Sequence, residues 1–203
     1  LQPALVLAAG WAPDALEPPD VVGGMLGVAD AVVCVSENPV IHTRARWEAC
    51  EKGVRMVVLP DPSREVFEGA ALRADYGAIS LLARNVAELL THAQHIAVVT
   101  GDCRLEMSVA GRDGHADTGI IDSPGRAGLL PAGEAFIAPL EGTAEGEMLV
   151  DGSILGRVLE TPMLMRFRSG RLVDAEGDAA GELMSLLDRK PEAKTLAELG
   201  IGC

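Results

Sequence analysis

Acidic side chains at the ends of turns are the residues of this sequence best placed for chemistry. From Gly128 to Gly146 the chain reads Gly-Leu-Leu-Pro-Ala-Gly-Glu-Ala-Phe-Ile-Ala-Pro-Leu-Glu-Gly-Thr-Ala-Glu-Gly. Pro131 and Gly133 hold a turn, Glu134 stands at its exit, and residues 135–138 follow as a short buried strand closed by Pro139. A second glycine-rich turn carries Glu141 and Glu145. Burying an ionised carboxylate is costly unless it is paired or bound to a metal. Residue type therefore leaves two readings of Glu134, a solvated carboxylate at a strand edge or an oxygen ligand for a cation.

The other reactive residue types form weaker patterns. His92 and His95 flank the end of a predicted helix, where a cationic imidazole is favoured. His42, beside Thr43, reads as support for a helix turn or a domain contact. Asp14, Glu17 and Asp20 lie among prolines without EF-hand spacing, so they read as a solvated loop. Ser153 and Ser169 sit in turns with no neighbouring histidine, which gives a serine triad no support. Asp102, Arg104 and Asp113 can border a cleft between domains, although most of them suit a surface.

The elements that position these residues follow from hydrophobic pattern and punctuation. Residues 4–9 form an apolar run before Gly10 and are expected to be a buried strand; 11–20, with three prolines, is loop. A short helix is expected over 21–29, and the β-branched run 31–35 is a second buried strand. Thr43 caps a helix over 44–52 that Gly53 ends, and strand 54–59 stops at Pro60. Strand, crossover helix and strand describe a parallel α/β unit. No GxGxxG or P-loop pattern follows these strands, so a nucleotide cofactor is disfavoured.

Ser63 caps a short helix, and a longer one spans 75–92 with Ile79, Leu82, Ala83, Val86, Leu89 and Leu90 as its core stripe. From His95 the texture changes to alternating strands, 95–100 and 104–109, followed by a glycine- and aspartate-rich loop over 111–128. A strand lies in 146–154, a hairpin in 162–175 turns at Ser169-Gly170, and Asp178 caps a helix over 179–188. The expected fold is α/β, with a parallel, flavodoxin-like N-terminal domain over 1–93 and a mixed, more antiparallel domain over 94–203.

Composition excludes several partners. Thirty acids against 17 bases give a formal charge of −13. Nucleic acid and anionic membranes call for basic patches, so neither is an expected partner. No apolar run reaches the roughly 18 residues of a membrane span. The four cysteines, Cys34, Cys50, Cys103 and Cys203, are far apart, which fits a reducing cytoplasm and neither a disulfide framework nor a zinc cluster. The chain is 48% hydrophobic and only 3% aromatic, so Val, Leu, Ile, Met and Ala must pack the core.

Three patches resemble the aminopeptidase T family of metal-dependent peptidases and its shorter, uncharacterised relatives. They are His42-Thr-Arg-Ala-Arg46 with Ala49 and Gly53; Leu130 to Pro139 with Glu141-Gly142 and Glu145-Gly146; and Leu196-Ala-Glu-Leu-Gly-Ile-Gly202. The resemblance runs from about residue 30 to the end. It implies that Glu134 and Glu198 are ligands of a two-metal site holding Zn, Co or Mn, which would activate water and stabilise the oxyanion of amide hydrolysis. It also implies a homodimer. The family's imidazole ligands have no counterpart among His42, His92, His95 and His115, and the apolar ending suggests a piece of a longer protein.

Three functions follow. The first is release of N-terminal residues from peptides. The second is a ring-cleaving dioxygenase resembling dihydroxypyridine dioxygenase, with Fe(II) on two histidines and a carboxylate, and with Glu134 and Glu198 lining the cavity without binding iron. The third is a non-catalytic scaffold or oligomerisation domain.

Overall fold

The computed structural model describes residues 3–8, 17–38, 40–60 and 63–203. In chain order the elements are α1 (Asp20–Leu26), β1 (Ala31–Val35), α2 (Arg44–Glu51), β2 (Arg55–Leu59), α3 (Arg64–Glu68), α4 (Tyr76–His92), β3 (His95–Thr100) and β4 (Cys103–Ser108). Then come β5 (His115–Asp117), β6 (Ala127–Leu129), β7 (Glu134–Ile137), β8 (Glu145–Val150), β9 (Ser153–Ile154) and β10 (Arg157–Val158). The chain ends with β11 (Met163–Arg168), β12 (Arg171–Glu176), α5 (Ala180–Leu187) and β13 (Leu199–Gly202). They gather into two compact units, Leu1–Ala83 with Ala116–Glu134 and Cys203, and Arg84–His115 with Ala135–Gly202. The mixed α/β class is the expected one.

The first unit is a parallel sheet in the order β1-β2-β6, with both pairings parallel. Val40, Ala49, Val54, Met56 and Val58 are buried together, with Val32, Cys34 and Ala45 packed against them. The crossover helix α2 begins where Thr43 Oγ1 accepts the Arg46 N–H at 3.2 Å. The same hydroxyl donates to the Val40 carbonyl at 2.6 Å. Gly53 ends the helix at φ +93°, a conformation that favours glycine. Ser63 caps α3 through the Val66 N–H, as expected. β1 pairs on one side only, so the expected buried strand is an edge strand whose Val33 is 71% exposed.

Two expectations for this unit are corrected. Residues 3–8 form no strand and are exposed, because an apolar run becomes a strand only with a ladder partner and the sheet supplies none. Ala9 and Gly10 lie outside the described residues, as does most of the expected loop, 11–16 with Asp14. The long loop expected over 111–128 contains two short strands, and β6 is the third strand of the sheet, with Met56 opposite Ala127 and Val58 opposite Leu129.

The second unit is an antiparallel sheet in the order β12-β11-β8-β4-β3. Leu105, Met107, Met163, Phe167 and Leu172 on its inner face are buried with Ala180 and Leu183 of α5. The opposite face is charged: Arg166 of β11 pairs with Glu147 at 2.9 Å and also with Asp174 and Glu176. The β11–β12 hairpin turns on Ser169 at φ +48° and Gly170 at φ +74°, the two left-handed residues of a type I′ turn. Asp178 does not cap α5. Its carboxylate accepts from the Glu160 N–H at 3.0 Å and from Arg157, and Ala179 in a left-handed conformation precedes the helix. β7, with Ala135 and Ile137 fully buried, takes the centre of a three-stranded sheet, β13-β7-β5. Among the described residues no helix is long and apolar enough to cross a membrane.

Candidate functional site

Open parallel sheets bind small molecules beyond the carboxyl ends of their strands, where successive loops diverge. In the first unit β2 and β6 end together, the Leu130 N–H donating to the Val58 carbonyl at 3.0 Å. The loop leaving that edge is the Pro-Ala-Gly-Glu turn. Gly133 sits at φ +130°, and a Cβ there would meet the Cys203 carbonyl oxygen at 3.0 Å and Ile79 Cγ2 at 3.1 Å. Only glycine makes this turn without strain. The turn delivers Glu134, half-buried, at the start of β7.

A second carboxylate in this unit escaped the sequence reading. Asp117 is half-buried on β5, and its Oδ1 would lie 3.6 Å from a Cβ added at Gly128 of β6. Burial pushes its carboxyl above the ordinary value of 3.8, and the Gly119 N–H offsets part of the rise. Beside it Thr118 is buried. At Gly119, with φ +68°, an added Cβ would stand 2.5 Å from the Tyr76 ring, so the loop passes hard against the first turn of α4. No sequence signal marks Asp117, since an aspartate in a glycine-rich stretch ordinarily faces water.

Glu198 is exposed immediately ahead of β13, and belongs to the second compact unit, whereas Glu134 belongs to the first. The histidines do not supplement them: His42, His92, His95 and His115 are all exposed. His92 Nδ1 lies 2.8 Å from the Glu88 carbonyl oxygen, and His115 rests on Phe136 with ring centroids 5.4 Å apart. Among the described residues no group of three or more His, Cys, Asp or Glu side chains is arranged to hold a metal ion.

A cleft of about 440 Å³ lies at the opposite edge of the parallel sheet, against Asp30 before β1 and Arg55 at the start of β2. It is open, with Lys52 and Arg55 facing Asp30 and Asp122. Amino ends of parallel strands are not where open α/β sheets bind their ligands, so the carboxyl edge is the better candidate.

An acid-tipped, glycine-fixed turn and a half-buried aspartate thus lie on the parallel α/β unit. The model of the NicX family, 2,5-dihydroxypyridine 5,6-dioxygenase, matches residues 7–203, and the chain belongs to that family. The structure of 2,5-dihydroxypyridine dioxygenase from Pseudomonas putida KT2440 is similar, with a TM-score of 0.73 and 21% identity over 90% of this chain and 53% of that one. Wild-type AmpT from Thermus thermophilus is similar with a TM-score of 0.56 and 21% identity, over 96% of this chain and 54% of that one. The chain thus spans about half the length of each, and at this identity both likenesses speak for the fold alone. No curated protein matches.

The family match overturns the expected aminopeptidase, and with it the hydrolase and metallopeptidase reading. The motif that suggested a peptidase has a structural cause. Gly133 is needed by the turn, and Gly146, at φ +116°, would bring a Cβ within 2.2 Å of the Arg104 carbonyl oxygen. The glycines of that motif serve backbone geometry, which two enzyme families of one fold can share while their chemistry differs.

Proposed function

We propose that the chain is part of an enzyme that opens a dihydroxylated pyridine ring with dioxygen, and that the carboxyl edge of the first unit's sheet meets the ring. The match of residues 7–203 to the dioxygenase family carries this reading. A divalent metal, Fe(II) in this class of reaction, would supply oxygen activation from a site of two imidazoles and a carboxylate. The described residues do not fit that ligand set, and none of them is assigned a step at the metal.

The work of this chain's own residues lies with the organic substrate. Glu134 is assigned to the ring rather than to a metal. A carboxylate accepts a hydrogen bond from a ring hydroxyl or N–H, and takes up its proton as the ring becomes electron-rich. The fixed turn at Gly133 supports this role for Glu134, because a general base must be held within hydrogen-bond reach of its proton.

Anaerobic titration of the protein with 2,5-dihydroxypyridine, followed by the absorbance of the ring, tests the assignment. Saturable binding that weakens about tenfold in Glu134→Gln is the expected result, the scale of one hydrogen bond to a charged group. Absence of binding would refute it, as would a variant that binds as tightly as the parent.

A further inference from the structure

The cations of the first unit fall into two sets. Arg44 and Arg64 pair with Glu48 and Glu68 at 3.5 Å and 2.7 Å, and Arg46 and Arg73 donate to the carbonyls of Ile41 and Glu68, each at 2.7 Å. Among the described residues Lys52, Arg55 and Arg126 make no ion pair and no side-chain hydrogen bond. Unmatched cations are unexpected in a chain with 30 acids for 17 bases. All three lie at the amino edge of the parallel sheet. Lys52 and Arg55 line the cleft of about 440 Å³, and Arg126 precedes β6, in register beside Arg55. Asp30 and Asp122 line the same cleft, and among the described residues neither reaches a cation; Asp122 accepts from the Ser123 hydroxyl at 3.0 Å.

Main chain holds the walls of this cleft together. The Arg55 N–H donates to the Asp30 carbonyl at 3.2 Å, and the Met56 N–H to the Arg126 carbonyl at 2.9 Å. A Cβ added at Gly53 would meet Pro124 at 3.7 Å, and one at Gly125 would meet the Cys50 carbonyl oxygen at 2.8 Å. The segments that bear the charges are therefore fixed to one another, and a ligand has no backbone to order. Lys52 Nζ would lie 3.0 Å from a Cβ at Gly27, so the ammonium is held against the end of α1. A single exposed charge is satisfied by water. Fixed charges of both signs around one concavity, unpaired with each other, match a molecule that carries both. The volume falls in the range of roughly 300–1,000 Å³ usual for small-molecule sites. Ala29, Val54 and Pro124 add apolar wall. We propose that this cleft binds a free α-amino acid with a small aliphatic side chain. Its carboxylate lies on Arg55 and Lys52, a guanidinium being suited to two parallel bonds, and its ammonium on Asp30 and Asp122. The five residues of β2 span about 17 Å, so this site is distinct from the carboxyl edge and independent of the ring chemistry proposed there.

Equilibrium dialysis of the full chain against radiolabelled L-valine tests this. Isovalerate and isobutylamine, which each keep one of valine's two charges, serve as competitors. Saturable binding of valine is expected, with each competitor at least about tenfold weaker than unlabelled valine, the scale of one hydrogen bond to a charged group. Arg55→Gln and Asp30→Asn should each weaken valine binding about tenfold, and added salt should weaken it in the parent. Both positions are exposed, so the variants are expected to keep the parent's far-ultraviolet circular dichroism. If Arg55→Gln unfolds, Lys52→Gln replaces it. Absence of saturable binding, isovalerate competing as well as valine (a site for anions alone), or folded variants that bind as tightly as the parent would each overturn the proposal.

Discussion

The backbone N–H of Cys203 donates to the carbonyl oxygen of Gly133 at 2.8 Å. Cys203 follows the Glu-Leu-Gly-Ile-Gly segment and Gly133 belongs to the Pro-Ala-Gly-Glu turn, so two stretches 70 residues apart, 203 − 133, are tied by main chain. What these stretches share first is a backbone arrangement that fixes the turn before Glu134. Specific side-chain chemistry is laid over that frame.

Gly133→Ala is expected to destabilise the protein by about 1–3 kcal/mol, from a left-handed backbone and the crowding of Cβ against Cys203 and Ile79. Urea unfolding measures it. Binding of the pyridine should fall as well, because the turn that aims Glu134 must shift.

Asp117 gives a pH signature opposite to that of a salt-bridged carboxylate. Its folded pKa is raised above the ordinary 3.8, so the native state binds the proton more tightly than the unfolded chain. Stability is therefore lost as pH rises from the unfolded value through the folded one, and the penalty is fully present above the folded value. Asp117→Asn should be more stable than the parent at neutral pH, with the difference closing as pH falls below about 4. Denaturant midpoints of both proteins at pH 7 and pH 4 decide it. A gap that widens towards acid would contradict the burial of this carboxyl.

Thr43→Ala removes the cap of α2 and the bond to Val40 together. A loss of about 1–2 kcal/mol is expected, with Thr43→Ser retaining most of the stability. Thermal melting of the two variants separates the hydroxyl from the methyl.

Arg166 sits among Glu147, Asp174 and Glu176, and hydrogen bonds to these three carboxylates hold its guanidinium even more firmly protonated than usual. In Arg166→Gln the carboxylates face one another. The melting temperature should drop at low ionic strength, and added salt should recover part of the loss by screening. A salt-independent difference would assign Arg166 a packing role instead.

Local punctuation was legible in the sequence, and tertiary partnership was not. Thr43 and Gly53 bracket α2, Ser63 starts α3, and Ser169-Gly170 turns the β11–β12 hairpin, because each acts through its own backbone conformation or its nearest N–H groups. β6 escaped because Ala127-Gly128-Leu129 has no alternation; its pairing with Met56–Val58 makes it a strand. The apolar run beginning at Ala4 misled for the converse reason, having the composition of a strand and no partner. Asp178 has the residue type of a cap, but Arg157 and the Glu160 N–H engage its carboxylate. At the candidate site the glycines and proline before Glu134 announced a turn. The burial of Asp117 depends on packing that spacing does not encode.

Oxygen uptake tests the central claim most directly. The protein, supplied with Fe(II) and 2,5-dihydroxypyridine in an oxygen electrode, should consume one O2 for each ring whose absorbance is lost. It should release no amino acid from leucyl peptides. Peptide hydrolysis without oxygen uptake, or a ring that persists in air with iron present, would contradict the account.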